Sequence, residues 1–187
     1  GLAREEEMSQ LQSQSHHYPA EQSFAQAPLP PSRLAQETVE SLTSLSFRQE
    51  NVQAYLDDIA HKVSDLTGMD WAVVTLSLGD RSKIVASSLA LDPSAAEPYP
   101  LHGTVAQTVV ETGTSLTVSD TESETQYGAT PEGYRAYMGV PLQSPSGKLL
   151  GTICSFHGQP RAFTPEEIKC VELFAERATT AIDNFQL

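Results

Sequence analysis

The chain has 187 residues, of which 39% are hydrophobic and 19% charged, enough to bury one core with an extension rather than two cores. Its 11 basic and 24 acidic residues give a formal net charge of −13, which argues against binding to nucleic acid or to an anionic membrane surface. No apolar run approaches the ~18 residues needed to cross a bilayer, and two cysteines do not make a disulfide framework. We therefore expect a soluble, cytoplasmic protein with no membrane insertion.

The composition divides the chain near residue 35. Residues 1–35 are rich in Gln, Ser and Pro, and their apolar residues keep no period, which predicts a flexible N-terminal extension. The adjacent His16 and His17 have no further ligand at metal-site spacing, so we predict no metal site there. Residues 36–187 are predicted to form the folded domain. The chain stops inside a predicted helix, as expected of a segment of a longer protein.

The first predicted element is one helix over residues 36–67, because apolar residues recur three and four positions apart and Gly68 suits a left-handed C-terminal turn. The runs "MDWAVVTLSLGD" and "RSKIVASSLAL" are rich in β-branched residues and joined by "GDR", which predicts a hairpin. Three prolines predict a loop over residues 92–100. A short helix over residues 104–112 is predicted to end at Gly113 and to lead into the strand "SLTVS".

The second half begins with a long polar loop over residues 120–136, which has no period and has the length usually kept for binding or gating. The runs "AYMGVPLQS" and "KLLGTICSFHG" are joined by "PSG" and predict an antiparallel hairpin. In "FTPEEI", Thr164 is the predicted N-cap of the last helix and Glu167 completes a capping box. Long one-sided helices at both ends predict an α+β fold, with the helices on one face of an antiparallel sheet.

The order of these elements resembles a GAF domain over about residues 37–187. The resemblance is carried by "VVETG" before a strand ending in Asp120, by "GVPL", by "LLGTIC" and by "RAFTPEEI" opening the last helix. It implies a sheet of about six antiparallel strands, with the N- and C-terminal helices on one face and often paired in a dimer bundle. It also implies a small-molecule pocket on the other face, under the short helix and the long loop. Most members are sensory modules of larger signalling proteins.

Specialised branches of the GAF family fit the sequence less well. Bilin-binding members attach the chromophore through a cysteine near the long loop, and residues 120–135 contain none. Cyclic-nucleotide-binding members carry an Asn-Lys pair that "HGQPRAF" lacks, and free methionine sulfoxide reductases need cysteines that residues 103–135 do not offer. A haem-binding member would need an axial histidine, for which His102 and His157 are the candidates. The resemblance therefore favours a non-enzymatic module and leaves its cofactor unknown.

Strand alternation separates the cysteine and the histidine of "CSFH". Cys154 and His157 point to opposite faces of the predicted strand, which excludes a thiol–imidazole pair unless a bulge intervenes. Cys154 is predicted to pack as a small hydrophobe. We assign Ser155 and His157 to the pocket face, together with Tyr137 from the neighbouring strand.

The other pocket candidates come from several segments of the chain. Trp71 either roofs the cavity or belongs to the core, and His102 either faces the cavity or caps the short helix. Arg135 either pairs with an anionic ligand or forms a surface ion pair. Gly139 and Gly151 are expected to leave room for a ligand. The predicted ligand-binding residues are Trp71, His102, Asp120, Tyr127, Tyr134, Arg135, Tyr137, Ser155 and His157.

The sequence thus predicts a non-enzymatic sensory or regulatory module that binds an unknown small molecule, with no catalytic residue and no metal. Ligand is expected to close the 120–136 loop and to change the packing of the terminal helices, through which a homodimer is also expected. Two alternatives stay open. One is a ligand-free scaffold for dimerisation or partner binding, and the other is an atypical bilin or haem receptor.

Overall fold

The computed structural model of the chain describes residues 32–185, so most of the predicted extension, with His16 and His17, lies outside the described residues. The first helix, α1, spans Arg33–Ser44. Its first turn carries an ion pair between Arg33 Nε and Glu37 Oε1 at 3.1 Å, four residues apart on one helix face. Residues 33–35, which the sequence assigned to the extension, belong to this helix.

The prediction of a single helix over residues 36–67 was wrong at its centre. Helix α1 ends at Ser44, and a second helix, α2, spans Val52–Thr67 after one short 3-10 turn. Asn51 accounts for the new start, because its backbone is not helical (φ −145°) and its side chain accepts a hydrogen bond from the Ala54 N–H at 3.0 Å. Apolar spacing continues across the break because both helices pack against the same core, so periodicity alone did not show it.

The sheet consists of β1 Trp71–Leu78, β2 Arg81–Ser87, β3 Tyr99–Pro100, β4 Leu116–Val118, β5 Ala136–Gln143 and β6 Leu149–His157. These six strands are ordered β3-β2-β1-β6-β5-β4, and all neighbouring pairs are antiparallel. The two predicted hairpins, β1–β2 and β5–β6, are confirmed, and they join through β1 and β6 at the centre of the sheet. Both edge strands are only two or three residues long, which limits the backbone offered to other chains.

Short segments cover the face of the sheet that bears no long helix. The predicted loop at residues 92–100 contains a 3-10 turn, Pro93–Ala96, before β3. Helix α3 spans Ala106–Thr112 and ends at Gly113, which adopts the left-handed conformation (φ 64°) as predicted. The long loop that follows β4 contains a further 3-10 turn, Thr125–Tyr127.

The last helix, α4, spans Pro165–Phe185 and begins with the predicted capping box. Thr164 Oγ1 accepts a hydrogen bond from the Glu167 N–H at 3.1 Å, and Glu167 Oε1 accepts one from the Thr164 N–H at 3.0 Å. Proline at the first helical position loses no intrahelical hydrogen bond. Across residues 32–185 we find no helix that is both long and apolar enough to cross a bilayer.

Two apolar cores lie on opposite faces of the sheet. The larger core joins α2 and α4 to the sheet, with α1 at its margin, and includes the fully buried Leu56, Met138 and Phe174. The smaller core lies under α3 and includes the fully buried Val109 and Tyr137. This arrangement confirms the predicted α+β fold, with the terminal helices on one face and the short helix and long loop on the other.

Candidate ligand-binding site

Alternate residues of β6 build the two faces of the sheet. Cys154 and Phe156 belong to the smaller core under α3. Ser155 is paired with Ala72 and Met138, which both belong to the larger core under the long helices. Since directly opposed residues share a face, Ser155 faces the long helices. Its assignment to the pocket face was therefore wrong, and it is Cys154 that faces the pocket side.

A cavity of about 440 Å³ lies over Cys154 and Phe156 on the α3 side of the sheet. Its floor comes from β1, β2 and β6, its walls from the 3-10 turn at residues 93–96 and the start of α3, and its rim from residues 129–131 of the long loop. Apolar side chains dominate the floor. The polar groups of the lining come from Ser94, Glu97, Tyr99, Thr104, Thr130 and Cys154.

An aromatic cluster closes one side of the cavity. The Trp71 ring lies 5.0 Å from the Phe156 ring and 5.5 Å from the Tyr134 ring between centroids, and Tyr134 lies 5.7 Å from Phe156. The indole N–H of Trp71 donates to Ser87 Oγ at 2.9 Å, which fixes the orientation of the ring. Trp71 and Phe156 line the cavity, while Tyr134 supports both rings from the long loop.

A buried chain of polar side chains leads to the cavity floor. The Oγ1 atoms of Thr75 and Thr152 are 2.6 Å apart, Thr152 Oγ1 is 3.2 Å from Cys154 Sγ, and Cys154 Sγ is 3.3 Å from Tyr137 Oη. Burial raises the pKa of the Cys154 thiol and raises the pKa of Tyr137 well above its ordinary value, so both groups stay protonated at pH 7. A neutral thiol surrounded by hydroxyl groups has no general base, and Cys154 is therefore not equipped as a nucleophile.

The two glycines expected to make room for a ligand are covered by the protein itself. A Cβ atom on Gly139 would lie 2.1 Å from Tyr137 Oη, and a Cβ atom on Gly151 would lie 1.8 Å from the Thr75 carbonyl oxygen. The space at Gly139 thus holds the Tyr137 phenol, and the space at Gly151 holds the backbone of β1. The expectation of ligand room at these positions was wrong, and Tyr137 belongs to the smaller core outside the cavity lining.

Arg135 and Asp120 form a two-point ion pair between the end and the start of the long loop. Arg135 Nη2 lies 2.8 Å from Asp120 Oδ2, and Arg135 Nε donates to Asp120 Oδ1 at 3.2 Å. Glu122 adds a second carboxylate 3.1 Å from Nη2. Hydrogen bonds from Arg135 lower the pKa of Asp120, and the same bonds raise the pKa of Arg135. Of the two interpretations of Arg135, the ion pair is the one observed.

The remaining predicted site residues lie outside the cavity lining. His102 is exposed ahead of α3. His157 lies at the end of β6, with Nδ1 at 3.2 Å from Asp70 Oδ2 but not aligned for a hydrogen bond. Tyr127 packs at the edge of the smaller core. The haem interpretation thus loses both of its candidate histidines, and within the described range no three His, Cys, Asp or Glu side chains are grouped to hold a metal.

The comparison with known families decides what this arrangement is. Residues 51–182 match the GAF domain family, which is more than half of the chain. The chain belongs to the GAF domain family. No curated protein matches it at a significant level.

Solved structures share the fold of this GAF domain at low sequence identity. The GAF domain of a phosphoenolpyruvate-protein phosphotransferase from Coxiella burnetii is similar with a TM-score of 0.71 at 14% identity, over 82% of this chain and 94% of that chain. The corresponding domain from Acinetobacter has a TM-score of 0.66 at 18% identity, over 82% of this chain and 92% of that chain. The type II free methionine-R-sulfoxide reductase from Thermoplasma acidophilum has a TM-score of 0.63 at 15% identity, over 73% of this chain and 96% of that chain. The GAF fold is thus mostly regulatory but also supports an enzyme.

Strand alternation alone misses most of the lining of this GAF domain. Cys154 packs in the smaller core as predicted but also lines the cavity, and the prediction gave no role to Phe156, Tyr99 or Glu97, which line it as well. The missing information was the strand register, in which Tyr137 lies opposite Phe156. With that register, assigning Tyr137 to the α3 side also assigns Phe156 and Cys154 to it.

Proposed function

We propose that this GAF domain is a non-enzymatic sensory or regulatory module of a signal-transduction protein, which binds a small ligand over Cys154 and Phe156. The proposal depends on one observation, the cavity of about 440 Å³ that no side chain of residues 32–185 fills. Ligand pockets range from about 300 to 1,000 Å³ and are mostly apolar with a few polar groups, as this lining is. The same observation argues against the scaffold alternative, in which apolar side chains would fill the cavity.

The thiols support a binding role over a catalytic one. Cys154 lies at the cavity floor, whereas Cys170 lies on α4 in the larger core, so the sheet separates the two cysteines. Burial raises the pKa of both thiols. Of the described residues, no histidine or lysine lines the cavity, and its one carboxylate, Glu97, is exposed and is not hydrogen-bonded to Cys154, whose partners are Tyr137 and Thr152. The chain therefore offers neither a thiol pair nor an activated nucleophile at this site.

Arg161 provides a route for transmission from the long loop to the helices. Its backbone N–H donates to the Ser119 carbonyl at 3.0 Å, next to the start of the loop. Its guanidinium donates to the Thr67 carbonyl at the end of α2 at 2.7 Å and forms an ion pair with Glu167 in the first turn of α4. One residue thus contacts the loop and both long helices. A coupling free energy of about 1–3 kcal/mol between the cavity and the helices would change output roughly 5- to 150-fold.

We further propose a homodimer formed through the terminal helices, in the cytoplasm. The α1 region exposes large apolar side chains, with Val39 60% and Phe47 41% accessible. Both described cysteines are free and lie on opposite sides of the sheet, so the domain does not depend on a disulfide between them. Sedimentation equilibrium of the chain and of Val39→Asp tests the dimer. We expect a dimer that this change converts to monomer, and a monomeric parent chain contradicts it.

A ligand screen tests the proposed function. Native mass spectrometry of gently purified protein detects a retained ligand, and a thermal-shift screen of small metabolites follows. A ligand at about 100 times its Kd stabilises by about 2.7 kcal/mol, which corresponds to a rise of roughly 5–10 °C in Tm for a domain of this size. A library that yields no bound mass and no thermal shift contradicts the proposal and favours the scaffold.

A pair of tryptophan variants shows whether any hit occupies the cavity. Ala95 lies in the lining on the 3-10 turn, whereas Ala162 is exposed ahead of α4. We expect Ala95→Trp to fill the entrance and abolish the thermal shift, and Ala162→Trp to retain it. A compound that causes the same thermal shift in Ala95→Trp as in the parent chain binds elsewhere and does not support the proposal.

A further inference from the structure

The cavity contains one charged side chain and no positive charge among the described lining residues. The charged group is the carboxylate of Glu97, which is exposed at the cavity mouth. Arg135 is held by Asp120 and Glu122 outside the lining. Arg81 is an exposed cation that donates to the Pro98 carbonyl at 2.7 Å, also outside the lining. An anionic ligand would lose its hydration here without meeting an opposite charge.

Three hydroxyl groups of the lining have already donated their protons. Thr104 Oγ1 donates to the Leu101 carbonyl at 2.7 Å, and Thr130 Oγ1 donates to the Tyr134 carbonyl at 2.6 Å. Ser94 Oγ donates to Asp92 Oδ1 at 2.9 Å. Each oxygen keeps a free lone pair, so these three groups offer acceptors to a ligand.

The other polar groups of the lining are neutral, and the rest of the surface is aromatic or aliphatic. Burial raises the pKa of the Tyr99 phenol and of the Cys154 thiol, which are therefore protonated at pH 7. Trp71 and Phe156 line the cavity with rings held 5.0 Å apart between centroids. Such rings offer an apolar surface to the hydrocarbon part of a ligand. The three hydroxyl acceptors and the carboxylate of Glu97 suit an ammonium group, and the rings suit an apolar group attached to it.

We propose that the cavity selects a small organic cation, an amine whose ammonium group pairs with Glu97 and the hydroxyl oxygens while its apolar part packs against Trp71, Ile84 and Phe156. This inference depends on the proposed function, because it specifies the ligand class of the same site. It makes this GAF domain a sensor of amines and not of carboxylates or phosphates. No covalent or redox step is involved.

Three probes of nearly equal size test the inference: 2-phenylethylamine, 2-phenylethanol and phenylacetate, titrated into the protein by calorimetry at pH 7. An exposed carboxylate attracts the ammonium group modestly and repels a second carboxylate, so we expect the amine to bind about tenfold more tightly than phenylacetate, with the alcohol between them. In Glu97→Gln the preference for the amine over the alcohol should fall about threefold. Glu132→Gln removes an exposed carboxylate outside the lining and should leave the preference unchanged.

The outcomes separate this inference from the proposed function. Tighter binding of phenylacetate or of the alcohol overturns the amine preference while ligand binding stands, and so does an anionic hit from the metabolite library. An amine preference that is equal in Glu97→Gln and the parent chain overturns the role of Glu97. If none of the three probes and no library compound binds, the proposed function fails and the inference fails with it.

Discussion

The phenol of Tyr137 lies over Gly139, two residues further along the same strand. A Cβ atom at residue 139 would be 2.1 Å from Tyr137 Oη and 2.8 Å from a methyl group of Val109. The absence of a side chain at residue 139 therefore lets the phenol lie flat on the sheet and reach Cys154 Sγ at 3.3 Å. One glycine thus sets the position of the largest fully buried side chain in the smaller core.

Gly139→Ala should destabilise the protein by about 1–3 kcal/mol, because the added methyl group displaces a buried ring in a packed core. Chemical denaturation measures the effect. Gly158→Ala is a matched control, since a Cβ atom there meets nothing closer than 3.4 Å. An unchanged midpoint in Gly139→Ala would mean that the phenol has another place to lie.

Ser155→Ala should raise the free energy of unfolding by about 1 kcal/mol. The Ser155 hydroxyl is fully buried and has no hydrogen-bond partner among the described residues, so its desolvation is not compensated. Ser144→Ala is the opposite case, because Ser144 Oγ is 2.8 Å from Ser146 Oγ and accepts a hydrogen bond from the Lys148 N–H at 3.2 Å. We expect Ser144→Ala to lower the free energy of unfolding. Equal effects of the two changes on urea denaturation would contradict this.

Arg161→Met should destabilise by about 2–3 kcal/mol, because it removes the cation beside Glu167 Oε2, in a side chain only 12% exposed, and leaves the Thr67 carbonyl without this donor. Arg161→Lys should recover only part of the loss. An ammonium group lacks the planar guanidinium with which Arg161 reaches both the Thr67 carbonyl and the Glu167 carboxylate. Lys169→Met, which removes an exposed cation of α4, should stay within about 0.5 kcal/mol of the parent. A loss no larger than that of Lys169→Met would remove Arg161 from the proposed transmission route.

Stability should fall as the pH rises from 8 to 10. Burial raises the pKa of Cys154 and Cys170 above the ordinary 9.0, so the unfolded chain releases these protons first and binds fewer protons than the folded chain in this range. The stability that depends on the protonated thiols is thus complete well below the ordinary pKa of 9.0, declines as the pH passes that value, and is lost as the pH rises through the folded-state pKa. The double variant Cys154→Ala, Cys170→Ala should show a shallower decline of its urea midpoint with pH. Parallel declines in the two proteins would assign the effect to other groups.

Sequence signals predicted the fold wherever a local cause was decisive. The capping box at Thr164 and Glu167 and the left-handed Gly113 depend only on neighbouring residues, and both are observed. The break before α2 was missed for a physical reason. The N-cap hydrogen bond of Asn51 competes with continuation of the helix, and the apolar spacing on both sides agrees with either outcome.

The cavity was harder to predict because it depends on register and on groups far apart in sequence. Alternation shows that Cys154 and Phe156 share a face but not which face the long helices cover. Arg135 suggests an anion site until Asp120, fifteen residues earlier, is seen to hold it. Tyr99 and Glu97 come from a proline-containing loop that has no period, so no pattern marks them as lining residues.

Side chains of β6 alternate between the two faces of the sheet, so this strand cannot gain or lose a single residue without exchanging its faces. Inserting or deleting one residue in this strand would turn Cys154 and Phe156 toward the long helices and bring Ile153 and Ser155 to the cavity, because side chains alternate with a period of two. The turn at residues 145–147 is exposed and carries no lining residue, so it can take added residues without such an exchange. Length variation among relatives, and sites for inserted tags, should therefore lie in that turn and be absent from β6.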